Sequence, residues 1–169
     1  LRGEFAGTVT RHPDAWATCT LYLGVEDVFD ADVAPYHQVM LDTPLPVTGA
    51  HATFVTLSKR GDARMAPVGF RSVTMSCHVA ARDWEGLTDA QHAERKAQVG
   101  DELLGAVSSV FPAVRHAPKP VVLAGTPKTW LGVTGRSGGR VGGLPFSFAT
   151  LRRGYPTGRT GVRGLVRVG

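Results

Sequence analysis

The sequence has 169 residues, 43% hydrophobic and 20% charged, which is enough chain for one folded domain and too apolar for a disordered one. No apolar run approaches the roughly 20 residues that a membrane-spanning helix needs, and the two cysteines have neither a metal-ligand spacing nor a disulfide framework. All 14 acidic residues precede Leu103, and only basic ones follow. The second half is therefore expected to meet an acidic partner, such as nucleic acid, a phosphate-bearing cofactor or an acidic part of the same protein.

Alternation of apolar and polar residues predicts four strands in the first half of the chain. They cover Trp16–Val25, Tyr36–Leu41, Ala52–Ser58 and Phe70–Ala80. In the last strand one face carries Arg71, Val73, Met75, Cys77 and Val79, and the other carries Phe70, Ser72, Thr74, Ser76 and His78. Both cysteines lie inside apolar patterns, so we interpret them as buried thiols, which is compatible with a reducing cytoplasm.

A long helix is predicted next. Thr88 followed by Gln91 has the spacing of a capping box, apolar residues then recur at helical intervals over Asp89–Phe111, and Pro112 ends the pattern. Short strands are predicted at Val121–Gly125 and at the very end, Leu165–Gly169. The fold class expected is α+β, with a mixed, mostly antiparallel sheet and one long covering helix.

Familiar catalytic and metal-binding motifs are absent from the sequence. It has no G-x-S-x-G elbow, no His-x-x-x-His and no Cys-x-x-Cys, and its six histidines are scattered singly. We therefore expect no metal site, and the catalytic residues are unknown. An isolated histidine is usually structural or on the surface. His78, however, shares a strand face with Ser72, Thr74 and Ser76, and these side chains would together line a pocket.

The segment from Gly125 to Pro145 combines seven glycines and two prolines with no acidic residue. Its sequence GRSGGRVGG at 135–143 matches neither common phosphate-binding fingerprint. A flexible linker is a poor interpretation because Trp130, Leu131 and the apolar residues after them are unlike a Gly/Ser spacer. An arginine-rich arm for single-stranded nucleic acid is disfavoured because the arginines are spaced singly. Glycines among large apolar residues favour backbone packed against something flat and hydrophobic.

Five segments occur in an order that resembles one known family. They are CTLYLGV, SKRGDARMAPVGFRSVTMSCHV, DWEGL, GTPKTWLGVTGRSGGRVGGLP and RTGVRGLVRVG. Together, and above all in the T-P-x-T…T-G-R-x-x-G-x-x-G-G pattern of 126–143, they resemble the C-terminal portion of carotenoid desaturases and carotenoid isomerases, the phytoene-dehydrogenase-like flavoprotein oxidoreductases. The resemblance covers essentially the whole chain. It departs at Val133, where an aromatic residue is usual, and at Arg167, where an apolar one is.

The resemblance implies a parent protein that is longer than this chain. The family holds FAD with a Rossmann-type fingerprint that is missing here, so we expect residues 1–145 to be part of a substrate-binding domain. Residues 146–169 are expected to be a return segment and the final strand of an incomplete FAD-binding domain. The implied partners are the missing FAD-binding part of the same protein and a carotenoid or related isoprenoid polyene. The implied location is cytoplasmic, with possible peripheral association at the membrane surface.

The same resemblance implies roles for particular residues. Cofactor-facing positions are Gly138, Gly139, Gly142, Gly143 and Gly169. Substrate-facing positions are Thr126, Pro127, Trp130, Arg136 and His78. The wall of an apolar tunnel, or its supporting core, would be formed by Trp16, Tyr22, Phe54, Met75 and Cys77. The flavin performs the chemistry in such enzymes, so the chain alone is expected neither to bind FAD nor to catalyse a reaction.

Two alternatives remain open from the sequence. One is a non-enzymatic basic module that binds nucleic acid or a hydrophobic ligand, although nucleic acid is not favoured. The other is a fragment of an amine-oxidase-type flavoenzyme, since the residues that touch substrate are not identifiable from sequence. Desaturation and cis–trans isomerisation of a polyene are likewise not distinguished, because both use the same scaffold.

Overall fold

The computed structural model describes residues 15–142, 147–154, 158 and 163–166, and a five-stranded sheet forms its centre. The strands are β1 (Trp16–Glu26), β2 (Tyr36–Met40), β3 (Ala52–Leu57), β4 (Phe70–Ala80) and β5 (Val121–Gly125). Their order is β2-β3-β4-β1-β5, and every neighbouring pair is antiparallel. The predicted α+β class with a mostly antiparallel sheet is thereby confirmed, and for these five strands the predicted boundaries differ by at most one residue.

Within the described residues, four helices and two 3-10 turns accompany the sheet. The helices are α1 (Asp89–Ser108), α2 (Pro112–His116), α3 (Pro127–Thr134) and α4 (Phe148–Arg153), and the 3-10 turns are Ala81–Trp84 and Ser137–Gly139. The predicted capping box at the start of α1 is present in both directions: the Thr88 side chain accepts from the backbone of Gln91, and the Gln91 side chain accepts from the backbone of Thr88.

The long helix ends three residues earlier than its periodicity predicts. Pro112 cannot continue α1 because it lacks an N–H group, and its fixed φ suits the first turn of a helix. It therefore opens α2, a short helix that the sequence pattern did not reveal. The backbone N–H of Phe111 donates to the Val107 carbonyl (2.8 Å), which closes the end of α1 before the chain turns.

One face of the sheet packs against α1 and forms the hydrophobic core. Its central strands contribute Ala17, Cys19, Leu21, Leu23, Val25, Val73, Met75, Cys77 and Val79, and the helix contributes Val99, Leu103 and Val107. The two-residue alternation predicted for β4 is confirmed. Met75 and Cys77, which the sequence left between tunnel wall and supporting core, are 0% and 1% exposed and belong to this core.

The two cysteines face each other across neighbouring strands. Cys19 on β1 is the register partner of Cys77 on β4, and both thiols are free and buried, as predicted. Burial raises the pKa of the Cys77 thiol to about 11 and also raises the pKa of Cys19, because an ionised thiolate would lose its hydration. Both therefore serve as small apolar core residues.

Part of the glycine-rich segment is helical, which the sequence pattern did not reveal. Residues 127–134 form α3, which begins with its own capping box at Thr126 and Thr129 and ends at Gly135 in the left-handed conformation. Proline at the first turn and glycine just past the last are typical helix ends. The predicted strand at Leu165–Gly169 lies largely outside the described residues, and of the two that are described Val166 makes a single β-bridge.

Candidate functional site

The second face of the sheet, turned away from α1, is called the open face here. Alternate residues of all five strands build it: Trp16, Thr18, Thr20, Tyr22 and Gly24; Tyr36, Gln38 and Met40; Ala52, Phe54 and Thr56; Ser72, Thr74, Ser76 and His78; Val121 and Leu123. None of these residues is an acid, a lysine or an arginine, and Glu26 enters the same alternation only at the last position of β1. The open face is therefore an uncharged surface of hydroxyl, aliphatic and aromatic groups.

Three rings form a cluster on the open face. The imidazole of His78 lies between the Trp16 indole, with centroids 4.8 Å apart, and the Phe54 ring, with centroids 5.7 Å apart. Trp16 and Phe54 remain 47% and 38% exposed, so this cluster faces outward from the protein. His78 was selected from sequence as a substrate-facing residue, and its position on this face is what the alternation predicted.

A groove of about 750 Å³ runs beside the ring cluster. Its floor contains Trp16, Phe54 and His78, and its walls add Gln38, His51 and the Thr48–Ala50 turn, with Arg82 and Asp83 at one rim. A volume of this size is typical of pockets for small organic ligands. We refer to it below as the ring groove.

Helix α3 covers one end of the open face through Trp130. The indole Nε1 donates to the backbone oxygen of Thr18 (3.1 Å), and the ring meets Tyr22 edge-on with centroids 6.5 Å apart. The ring also lies directly over Gly125, where a Cβ would come within 2.9 Å of it. Gly125 is thus packed closely against a flat apolar surface, but that surface is a side chain of the same protein.

Thr126 and Pro127 are buried at the start of α3. The Thr126 hydroxyl hydrogen-bonds to His92 Nε2 (2.7 Å) on α1 and also caps α3 together with Thr129. With Trp130, these residues attach α3 to the rest of the fold. Arg136, by contrast, is exposed just after the left-handed end of the helix. The substrate-facing roles of Arg136 and of these three buried or packed residues stay predictions. Thr126, Pro127 and Trp130 also contact other parts of this chain.

The glycines chosen as cofactor contacts lie beside atoms of their own chain. An added Cβ at Gly139 would overlap the Pro127 carbonyl oxygen, one at Gly138 would meet the Arg140 side chain, and one at Gly142 would lie 3.1 Å from Trp16 Cβ. Backbone amides of Val141 and Gly142 donate to the Trp16 carbonyl (both 3.1 Å). Gly143 and Gly169 lie outside the described residues. The described glycines therefore do not form an open cradle for a flavin, and their cofactor role remains a prediction.

The contact between α1 and α3 predicts a pH effect on stability. Burial and the positive charges of Lys128 and Lys96 lower the pKa of His92 below its ordinary 6.5, while Asp89 acts in the opposite direction. The folded state thus binds this proton more weakly than the unfolded state, so stability should fall as the pH falls through about 6.5 towards the folded pKa. Urea midpoints of wild type and His92→Gln, compared at about pH 7.5 and about pH 5.5, measure this loss of stability.

The His92→Gln variant is the matched control because a glutamine amide still reaches the Thr126 hydroxyl but does not titrate. Wild type should lose more stability than the variant between the two pH values. An equal loss in both proteins would contradict the assignment to His92, because the remaining histidines are common to them.

Neither a metal site nor a membrane span is found in the part of the chain that the structure describes. No three His, Cys, Asp or Glu side chains are grouped there as ligands for a metal ion. No helix among those residues is long and apolar enough to cross a bilayer.

Sequence reasoning missed part of the ring groove. Gln38 lies directly opposite Phe54 in the β2–β3 register, and Ala52 and His51 complete that wall. Alternation along β2 does place Gln38 on the same face as Tyr36 and Met40. That signal was present, but pairing with Phe54 depends on strand register, which alternation alone does not fix.

The sheet thus has one face covered by α1 and one uncharged open face, and comparison with known proteins shows what the chain is similar to. No family model matches the chain. A chloroplastic prolycopene isomerase from Daucus carota is 26% identical over 155 residues, covering 89% of this chain and 25% of that protein. Two chloroplastic prolycopene isomerases from an Oncidium hybrid cultivar are each 29% identical over 201 aligned residues, covering 99% of this chain and 34% of theirs.

The similarity supports a distant, family-level relationship to carotenoid isomerases, as the sequence motifs suggested. The chain spans about a quarter to a third of the length of these curated relatives.

Proposed function

We propose that this chain is the polyene-facing part of a flavin-dependent oxidoreductase that desaturates or isomerises a carotenoid or related isoprenoid. The observation that carries the proposal is the similarity to prolycopene isomerases along nearly the whole chain. We assign the polyene contact to the open face because that face is uncharged and carries exposed aromatic and aliphatic side chains. The activity belongs to the complete protein.

The open face has the chemistry that a long hydrocarbon needs. A polyene gains free energy by leaving water for an apolar surface, at roughly 25 cal/mol per Å², and it would lose some of that gain beside a buried charge. Exposed Trp16, Phe54, Tyr36, Met40 and Leu123 supply apolar area, and the lysines, arginines and most carboxylates lie elsewhere. Trp16, Tyr22 and Phe54 are thus available as tunnel wall, whereas Met75 and Cys77 support the wall from behind.

The flavin would be held by the rest of the complete protein. The described glycines contact Pro127, Arg140 and Trp16 of this chain, so they offer no ready cradle for the cofactor. When bound, the flavin supplies hydride or electron transfer. The residues of this chain would bind the polyene, orient it and keep water from the reacting bonds.

The decisive experiment uses the complete protein encoded by the gene that contains this sequence. Loaded with FAD, it should convert phytoene or a poly-cis carotenoid, with products separated by chromatography. Trp16→Ala and Phe54→Ala should each reduce kcat/KM about tenfold or more, because each removes a large apolar contact on the open face. Val133→Ala is the matched control, since Val133 is 73% exposed on α3; it should leave turnover unchanged.

Two results would overturn the proposal. One is an FAD-loaded complete protein that leaves every carotenoid polyene untouched. The other is equal loss of turnover in Val133→Ala and the two open-face variants. Separately, the chain alone is expected not to bind FAD; stoichiometric FAD binding by these 169 residues would contradict the assignment of the cofactor site to the rest of the protein.

A further inference from the structure

One wall of the ring groove belongs to a loop that is held from the covered side of the sheet. The loop, residues 41–51 between β2 and β3, contributes its residues 48–50 to the groove. The Val47 N–H donates to Glu102 Oε1 (2.7 Å), and the Thr48 N–H donates to Glu102 Oε2 (3.2 Å). Both oxygens of one half-buried carboxylate on α1 are thus bonded to consecutive backbone amides of the loop.

Arg95, about two turns earlier on the same side of α1, joins this loop to a rim of the groove. Its Nη2 donates to the Val47 carbonyl (3.2 Å), so both backbone polar groups of Val47 are bonded to α1 side chains. Its Nη1 donates to the carbonyl of Asp83, which lies at the rim. The guanidinium also lies over the Trp84 ring, 4.6 Å from its centroid, and this cation–π contact helps to orient it.

Arg95 and Glu102, together called the α1 clamp, therefore connect two sides of the groove from behind the sheet. A guanidinium donates through a planar fork, which allows it to hold two carbonyls at once. A carboxylate bonded to backbone amides forms charge-assisted hydrogen bonds, which are roughly twice as strong as neutral ones. Loops are otherwise the more mobile parts of a fold, so these bonds fix the distance between the loop and the rim.

We propose that the α1 clamp sets the width of the ring groove and thereby the affinity of the open face for its polyene. Arg95 and Glu102 are positioning residues: they act through the backbone of the loop and of Asp83. The inference rests on the proposed function, since it assumes that the open face carries a polyene. A groove held at one width binds without first ordering its wall. Release of the wall removes contact with the polyene, and a loss of about 40 Å² of apolar contact weakens binding about fivefold.

The test uses the FAD-loaded complete protein and a polyene that the wild type converts. Glu102→Ala removes both acceptor oxygens, and Arg95→Lys keeps the charge but replaces the fork with a single ammonium. Each should raise KM about fivefold and leave kcat within about twofold, because the clamp affects binding and not the reacting bonds. Glu102→Gln keeps one acceptor oxygen and should lie between wild type and Glu102→Ala. A merely structural role would give the opposite split, since loss of folded enzyme lowers the apparent kcat and leaves KM unchanged.

Asp101→Asn is the matched control, because it removes the same charge from the neighbouring, exposed position of α1. Its KM and kcat should equal those of the wild type. A second measurement needs no ligand and follows the NMR amide resonances of Gly49 and Ala50, on the groove wall, in the 169-residue chain. These resonances should shift in Glu102→Ala, because the wall moves when the loop loses its acceptor, and should stay in place in Asp101→Asn.

The outcomes separate this inference from the proposed function. An unchanged KM in Glu102→Ala and Arg95→Lys, or an equal change in Asp101→Asn, would overturn the inference, and polyene turnover by the complete protein would still stand. A fall in kcat alone would likewise overturn it, as would unmoved resonances of the groove wall in Glu102→Ala. Failure of the wild-type complete protein to convert any polyene would instead reject the proposed function before any variant is compared.

Discussion

Replacing Arg71 by methionine should lower the free energy of unfolding by about 3 kcal/mol. Arg71 is 3% exposed on the core side of β4, where its Nε donates to the Ser58 carbonyl (2.8 Å) and its guanidinium stacks over Phe29, 5.5 Å from the ring centroid. Methionine fills much of the same volume but donates no hydrogen bond. The partly buried Ser58 carbonyl would then lose its arginine donor, and the ring of Phe29 would lose its cation.

Asp27 limits the loss of stability in Arg71→Met because its carboxylate still forms an ion pair with Arg60. Its carboxylate is 4.0 Å from Arg71 Nη1 but only 2.7 Å from Arg60 Nε, so removal of Arg71 does not leave it unpaired. The matched control is Arg64→Met. Arg64 pairs with Asp62 at 3.0 Å with its side chain 89% exposed, and such pairs contribute between zero and about 1 kcal/mol.

Urea unfolding monitored by far-ultraviolet circular dichroism measures both variants. A loss in Arg71→Met no larger than that in Arg64→Met would show that the buried guanidinium contributes nothing net to stability. Arg71→Lys should lie between wild type and Arg71→Met, because a lysine keeps the charge but donates without the planar fork of a guanidinium.

Gly139→Ala is expected to have the second large effect, about 3 kcal/mol. Gly139 has φ +62°, a conformation that costs a residue with a side chain roughly 1–2 kcal/mol, and its added Cβ would overlap the carbonyl oxygen of Pro127. That carbonyl is backbone at the buried start of α3 and cannot rotate away. The substitution should therefore push the Ser137–Gly139 turn away from α3.

Gly135→Ala isolates the backbone part of this effect. Gly135 has nearly the same φ, +67°, but nothing lies within 4 Å of the position its Cβ would take. It should lose about 1 kcal/mol, so the difference between the two variants measures the clash alone. Both are compared by urea unfolding of the chain without FAD.

The same pair of variants tests the role assigned to Gly139 from sequence. If Gly139 serves only to admit a flavin, Gly139→Ala and Gly135→Ala should be equally stable in the absence of the cofactor. A larger loss in Gly139→Ala without FAD would show that the glycine is required for packing within this chain, whatever it contacts in the complete protein.

The sequence predicted the layers of this fold well because side-chain periodicity reports burial directly. Period-two alternation located four strands to within one residue and assigned the two faces of β4, and the Thr88–Gln91 spacing located the start of α1. Periodicity extended α1 to Phe111, however, because the apolar pattern continues past Ser108. It also missed α3, whose eight residues are too few for a clear helical period and include Gly132, which lowers helix propensity, while tertiary contacts through Thr126 and Trp130 stabilise the helix.

The candidate site was predicted only in part. Alternation along a strand predicts which face of the sheet a residue lies on, but strand register decides which residues of neighbouring strands lie side by side. The sequence placed His78 on the polar face of its strand, whereas Trp16 and Phe54 were named only as tunnel wall or supporting core. That the His78 ring lies between the other two depends on the pairing of Thr18 with His78 and of Phe54 with Ser76. The sequence by itself determined an α+β chain with a covered sheet, buried thiols and an acid-free second half. Only the tertiary structure decided which residues meet on the open face, because strand register and the docking of α3 are set by contacts between residues far apart in the chain.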